Sequence, residues 1–212
     1  MDQRISRIGT VVMTVLAVGV ALHALRFLGA PFSVWSTVDP EIRNLVEQWP
    51  VRALAHMLVG PVALFIGPFQ FLPKLRARHP RLHRWSGRVY VAACLIAGAA
   101  GLATAFHATG GPVAGVGFGV LAVLWIAVTL GAWQAAVRRR FALHRLLMRF
   151  SYAMTFAAVT LRLQIPIGLA LGFEGYAAMS PWLAYTSWIP NVIAVAIYSA
   201  MVARRPAVIA PA

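Results

Sequence analysis

An all-α bundle of about six membrane-spanning helices follows from three observations. Of the 212 residues, 60% are hydrophobic and only 11% are charged, whereas a soluble domain carries roughly a quarter charged residues. Several apolar runs exceed the ~18 residues that mark a membrane span. The basic residues fall in the short breaks between those runs, where membrane proteins encode their orientation.

Taken in order, the first span covers about 8–29 behind Arg4 and Arg7. It begins like a secretion signal, but its apolar character continues to Ala30 and the small-residue pattern near Ala21 is weak, so it is expected to be retained. The stretch 31–50, "PFSVWSTVDPEIRNLVEQWP", reads as an outer connector with Trp35 and Trp49 and a short interfacial helix starting near Asp39 or Pro40. The second span, 51–72, is interrupted by Gly60-Pro61 and Gly67-Pro68. The third, 87–107, follows the arginine-rich "RARHPRLHRWSGRVYV", which reads first as a membrane anchor. The fourth, 113–137, opens with "GGPVAGVGFG", whose glycines allow helices, or a flat ring, to approach closely. The fifth and sixth are 143–170 and 184–203. No internal repeat divides this single membrane domain.

Counting cations orients the bundle. Arg4 and Arg7, Lys74 to Arg88, Arg138 to Arg149, and Arg204 with Arg205 place fifteen of the 19 basic residues on one side. Arg26, Arg43 and Arg52 stand opposite, and Arg162 lies within a span. Both termini are therefore expected in the cytoplasm. The net charge of +14 is this topology signal and no nucleic-acid footprint. Asp39, Glu41, Glu47 and Glu174 fall in outer loops and Asp2 near the N-terminus, so no span holds a carboxylate. That excludes carboxylate proton relays and carboxylate-based metal sites inside the membrane. Cys94 stands alone in an apolar run and forms no internal disulfide; without a CxxCH motif, any haem is held non-covalently.

The six histidines fall at the span ends. His56 and His107 are expected at similar outer depth on antiparallel neighbours, because 17 residues separate His56 from Pro73 and 19 separate Arg88 from His107. His83 and His144 both sit at the inner boundary. His83 and His107 are 24 residues apart, roughly 36 Å of helix, so one four-histidine cluster is impossible and one pair per leaflet is allowed. Imidazoles facing each other across a bundle can hold a haem iron from both sides. A histidine at an interface also serves simply as an amphipathic anchor; His79, before Pro80 in the loop, reads as solvated, and His23 flanks the outer pocket or faces headgroups.

Along the fifth span, His144, Ser151, Thr155 and Arg162 follow in steps of 7, 4 and 7. At 100° per residue they lie within roughly 40° of one another, a stripe expected to face the bundle interior. Arg162 costs about 2.5–3.5 kcal/mol at a span centre and has no intramembrane acid to pair with. It snorkels outward, or it needs backbone carbonyls or an anionic ligand, such as a haem propionate or an acidic substrate group, whose carboxylate a guanidinium grips bidentately. At the inner end Arg88 or Arg149 offers the same chemistry beside His83 and His144.

The stretches "HMLVGPVALFIGPFQF", "HPRLHRWSGRVYV", "GGPVAGVGFG" and "RFSYAMTFAAVTLRLQIP" resemble a bacterial family of predicted multi-span membrane proteins of unknown function, from about Ala55 to Pro166. That resemblance implies a multi-pass protein of the bacterial inner membrane. More remotely, histidines at opposite helix ends look like the transmembrane di-haem cytochromes b, many of which place two ligands on one helix about thirteen or fourteen residues apart; the spacing of 24 here departs from that pattern.

The leading expectation is a protein that carries electrons across the bilayer on two haems b. His56 and His107 would ligate the outer haem, and His83 and His144 the inner. Arg162 would neutralise an outer propionate, and Arg88 or Arg149 an inner one. The alternatives are a permease for small anions working through Ser151, Thr155 and Arg162, and a non-catalytic subunit of a larger membrane complex. The lipid bilayer is the one partner the composition fixes; electron donor and acceptor stay open.

Overall fold

A computed structural model describes residues 3–25 and 40–204. Asp2, Arg26, Trp35, Asp39 and Arg205 lie outside the described residues, as does the outer end expected of the first span. The described elements are helices: α1 (Gln3–Leu25), α2 (Pro40–Gln48), α3 (Pro50–Gln70), α4 (Pro73–Arg78), α5 (Pro80–Ala105), α6 (Gly111–Val137), α7 (Phe141–Ala170), α8 (Gly175–Thr186) and α9 (Ile189–Ala203). The interfacial helix expected near Pro40 is α2.

Among the described residues, five runs are long and apolar enough to cross a membrane: α3, α5, α6, α7, and α8 with α9 taken together. α1 adds a shorter apolar stretch, Ile8–Ala24. At most 33% of any span's apolar window is buried inside the protein, and Phe65, Ile96, Val123 and Leu163 point outward. A bilayer accommodates that surface and water does not. The chain is a polytopic helical membrane bundle.

α3, α5, α6 and α7 pack in chain order, as short connections between antiparallel helices require. The α5–α6 turn uses Gly110 and Gly111 at φ of 94° and 78°, backbone that glycine adopts without a steric penalty. The α6–α7 turn closes in three residues, with Arg139 at φ 58° and the Arg140 N–H donating to the Ala135 carbonyl at 2.8 Å. α1 covers α3, α8 packs on α6, and α9 on the first half of α7.

Prolines decide where these helices bend and what crosses between them. Each removes the N–H that would bond the carbonyl four residues earlier, and in a membrane another donor must replace it. Pro68 frees the Leu64 carbonyl, and the Tyr152 hydroxyl of α7 donates to it at 3.3 Å. Pro190 frees the Thr186 carbonyl; Gln164 Nε2 donates to it at 3.2 Å, and Thr186 Oγ1 donates back to Gln164 Oε1 at 3.1 Å. The sixth span, expected at 184–203, is accordingly broken at Ser187–Trp188, with α8 before the break and α9 after it. Upstream of Pro61 the helix widens into a π turn over Ala55–Val59, an adjustment that reroutes the carbonyls a proline leaves free. His56 sits on that turn.

The helix of the third span starts at Pro80 rather than near residue 87, so much of the arginine-rich segment is itself helical. The early start changes the depth matching of the histidines.

Candidate functional site

The polar side chains of the bundle form three levels. Near the arginine-rich end, His144 Nδ1 lies 2.9 Å from the Ala132 carbonyl on α6. A carbonyl only accepts, so Nδ1 carries the proton and Nε2 keeps its lone pair. His83 stands close enough to His144, Arg76 and Arg84 for their charges to act on it. Its own Nδ1 is buried without a hydrogen-bond partner. His83 and His144 therefore stand at the same level of the bundle. Nearby, Gln70 Nε2 donates to Ser86 Oγ at 2.7 Å, and that hydroxyl donates to the Leu82 carbonyl at 2.7 Å, tying the end of α3 to α5. Arg88 lies over the Trp85 ring at 4.9 Å and Arg149 over the Tyr198 ring at 5.3 Å. Both expected inner cations thus rest on aromatic faces.

Two helical turns further along α5 and α7 comes a closed hydroxyl network among Tyr90, Trp125, Thr129, Ser151 and Thr155, the most exposed of which is 7% accessible. Its bond directions can be derived. Thr155 Oγ1 donates to the Ser151 carbonyl at 2.9 Å and accepts from Trp125 Nε1 at 3.0 Å. Its one proton is spent, so the Tyr90 hydroxyl donates to Thr155 at 3.0 Å. Tyr90 must then accept from Ser151 at 3.0 Å, and Ser151 from Thr129 at 2.7 Å. Every hydroxyl proton is used, and α5, α6 and α7 are fastened together. Cys94 lies buried against the same group. The middle of the fifth-span stripe is thus filled and satisfied, with Ser151 and Thr155 occupied by neighbouring helices.

The third level is at the opposite end. His56 Nδ1 lies 2.8 Å from the Ala97 carbonyl of α5, which again leaves the lone pair on Nε2. Gly101 makes room for the ring, since a Cβ there would stand 2.8 Å from His56 Nδ1. Arg162 is close enough for its charge to act on His56, and both side chains are exposed. They share the flank of the bundle where α1 approaches the π turn and the second half of α7. Arg162 Nη1 donates to the Ala158 carbonyl at 2.9 Å, which leaves its other donors open.

His107 is carried elsewhere. Because α5 begins at Pro80, His56, 14 residues before the end of α3, meets Ala97, 17 residues into α5. His107 lies ten residues beyond Ala97, roughly 15 Å further along the axis and past the helix end at Ala105. Its ring packs on Trp49 with centroids 5.1 Å apart, and it lines a surface pocket of about 280 Å³ with Asn44, Gln48, Thr109 and Ala177. The equal-arm spacing that paired it with His56 assumed that α5 starts at Arg88.

Arg52 is the residue that sequence reading missed. It was counted only as an exception to the charge asymmetry. One turn before His56, its guanidinium lies 4.0 Å over the Trp49 ring and Nη1 donates to the Ala103 carbonyl at 3.2 Å. Nε and Nη2 are buried with no acceptor among the described residues, and an unmet charged donor costs more than the ~1–3 kcal/mol of a neutral one. The ion pair found among the described residues, Arg43 with Glu47 at 3.9 Å, lies on α2.

Among the described residues no group of three or more His, Cys, Asp or Glu converges as a metal cage; a haem iron asks only for two axial ligands. A family model described as "Predicted membrane protein (DUF2306)" matches residues 53–199. No curated protein and no solved structure matches.

Proposed function

The chain belongs to the DUF2306 family of predicted membrane proteins, and from its side-chain geometry we propose that it is a haem b protein carrying electrons across a bacterial inner membrane. The observation that carries this reading is the shared state of His56 and His144. Each gives its Nδ1 proton to a main-chain carbonyl on the neighbouring helix, which fixes the ring and presents an Nε2 lone pair, as second-shell bonds do for metal-ligating histidines. One such ring stands near each end of the bundle.

The residues fit a haem at the inner end, where His83 and His144 supply two imidazoles and the unpartnered His83 Nδ1 marks an unmet bond. At the outer end His56 is the oriented ligand, its ring seated against Gly101, and Arg162 would supply the cation for a propionate. Haem provides a one-electron couple that needs no proton on arrival. The protein orients the rings, pairs the propionates and excludes water between the two levels. The arginine-rich end gives an anionic electron donor a surface to dock on.

Ser151 and Thr155 are committed to the closed hydroxyl network, which weighs against a permease site on the fifth-span stripe.

The test is the absorbance of detergent-purified protein, oxidised and then reduced with dithionite. A Soret band with sharp reduced α and β bands, at two haems per chain, is expected. His144→Ala and His83→Ala should each remove the same haem, and His56→Ala the other. His107→Ala should leave both absorbances, because its ring packs on Trp49 beyond the end of α5. A colourless folded protein, or unchanged haem content in all three variants His56→Ala, His83→Ala and His144→Ala, would end the reading.

A further inference from the structure

We infer that Arg52 is a carboxylate-binding residue one turn outward of His56, and that its Nε–Nη2 edge is the recognition element. A guanidinium offers two forks to a planar carboxylate, and the one formed by Nε–H and Nη2–H gives two parallel hydrogen bonds. Arg52 spends Nη1 on the Ala103 carbonyl at 3.2 Å and fixes its plane over Trp49 at 4.0 Å. Nε and Nη2, the two donors of the free fork, are the atoms left without an acceptor. Both are buried, and no protein acceptor among the described residues reaches them.

An arginine that served only to clamp Trp49 would keep its spare donors in water. One that served as a topology anchor would sit on the arginine-rich side. This residue does neither, and the four-residue step to His56 puts it about 6 Å further out on the same helix. Arg162 is close enough for its charge to act on His56, and Arg52 stands one turn outward of that oriented imidazole on the same helix. The chemistry they select is a ligand bearing carboxylates at the outward edge of whatever His56 holds. The source of the carboxylate rests on the haem reading: a propionate if that reading stands, a free organic acid if it fails.

Binding of haemin and of haemin dimethyl ester, whose propionates are masked, separates these cases. Both are titrated into haem-free protein in detergent, in the wild type, Arg52→Leu and Arg52→Lys. The wild type is expected to prefer haemin by about tenfold or more, as charge-assisted hydrogen bonds give. Arg52→Leu should reduce that ratio towards one, and Arg52→Lys, which keeps the charge without the fork, should fall between. Equal binding of the two porphyrins by the wild type overturns the assignment while leaving the haem reading intact. So does a ratio unchanged in Arg52→Leu, or in Arg52→Lys where the leucine variant does not fold. If the wild type binds neither porphyrin, the haem reading has failed and sodium benzoate becomes the probe. Thermal stabilisation by benzoate that disappears in Arg52→Leu, or shrinks in Arg52→Lys where that variant does not fold, supports a free-acid site; stabilisation absent from the wild type, or unchanged by the substitution, overturns it.

Discussion

Replacing Tyr90 with Phe tests the directional network most directly, because it deletes one oxygen and leaves the ring that fills the core. Two bonds are lost, the one Tyr90 accepts from Ser151 and the one it donates to Thr155, each 3.0 Å long. Interhelical hydrogen bonds in membranes average about 0.6 kcal/mol with a maximum near 1.7, which brackets the pair at about 1–3 kcal/mol. The freed Ser151 proton has a fallback in its own helix, four residues back, as Thr155 already uses. That moves the expectation to the lower half, about 1–2 kcal/mol. The assay is reversible unfolding in mixed micelles followed by tryptophan fluorescence, to which Trp125 contributes from inside the network. A cycle with Ser151→Ala isolates the coupling, since that change removes the donor to Tyr90 and the acceptor for Thr129 at once. The double variant should cost less than the sum of the singles. A Tyr90→Phe protein within about 0.3 kcal/mol of wild type, strictly additive with Ser151→Ala, would refute the network as a fastening.

The glycines give sharper tests. Gly101→Ala builds a Cβ 2.8 Å from His56 Nδ1 and 3.0 Å from Cε1, so the ring must leave the Ala97 carbonyl. Overpacking of about 1–3 kcal/mol exceeds the gain of up to ~1 in helix propensity, and the reduced spectrum should lose the outer haem alone; retention of both absorbances would count against His56 as a ligand. Gly67→Ala drives a methyl into the Tyr152 ring and strands the Leu64 carbonyl that Pro68 already leaves to Tyr152. It should destabilise by about 2–4 kcal/mol in the same unfolding assay. Gly19→Ala, with nothing within 4 Å of its Cβ, is the control and should be neutral or stabilising by up to ~1 kcal/mol.

Hydropathy made most of the spans legible, because a run of apolar residues needs no partner to be recognised. The shared level of His83 and His144 was legible for a related reason: both stand where charged loops meet helices, and a boundary is visible in sequence. The outer pair was not. Depth matching needs the true start of each helix, and an arginine-rich stretch that turns helical at Pro80 gives no hydropathy signal for it. The π turn was hidden too, although Gly60-Pro61 marked where the backbone would have to reroute. Arg52 was hidden because its meaning lies in two donors that find no acceptor, a property of packing alone. The break before α9 had a visible cause in Pro190, but its repair by Gln164 is a contact across 22 residues.

The fifth-span stripe looked like one feature and does three things. His144 ends it with an imidazole tied to α6, Arg162 ends it beside His56, and Ser151 with Thr155 close the middle. The closure bears on what can cross. A proton wire needs donors that can reorient and an entry to water at each end; here the chain runs one way from Thr129 through Ser151 and Tyr90 to Thr155, and terminates on the Ser151 carbonyl. A solute path needs volume, and these side chains are at most 7% exposed. An ion path needs compensating charge, and none of the described spans carries an Asp or Glu. Under the proposed haem reading, a dry, carboxylate-free centre between two oriented imidazoles would still pass an electron, which requires neither room nor water. The physical case for a redox role is therefore strongest at the level where no ligand would bind, and it would collapse if the outer and inner histidines were found to hold nothing.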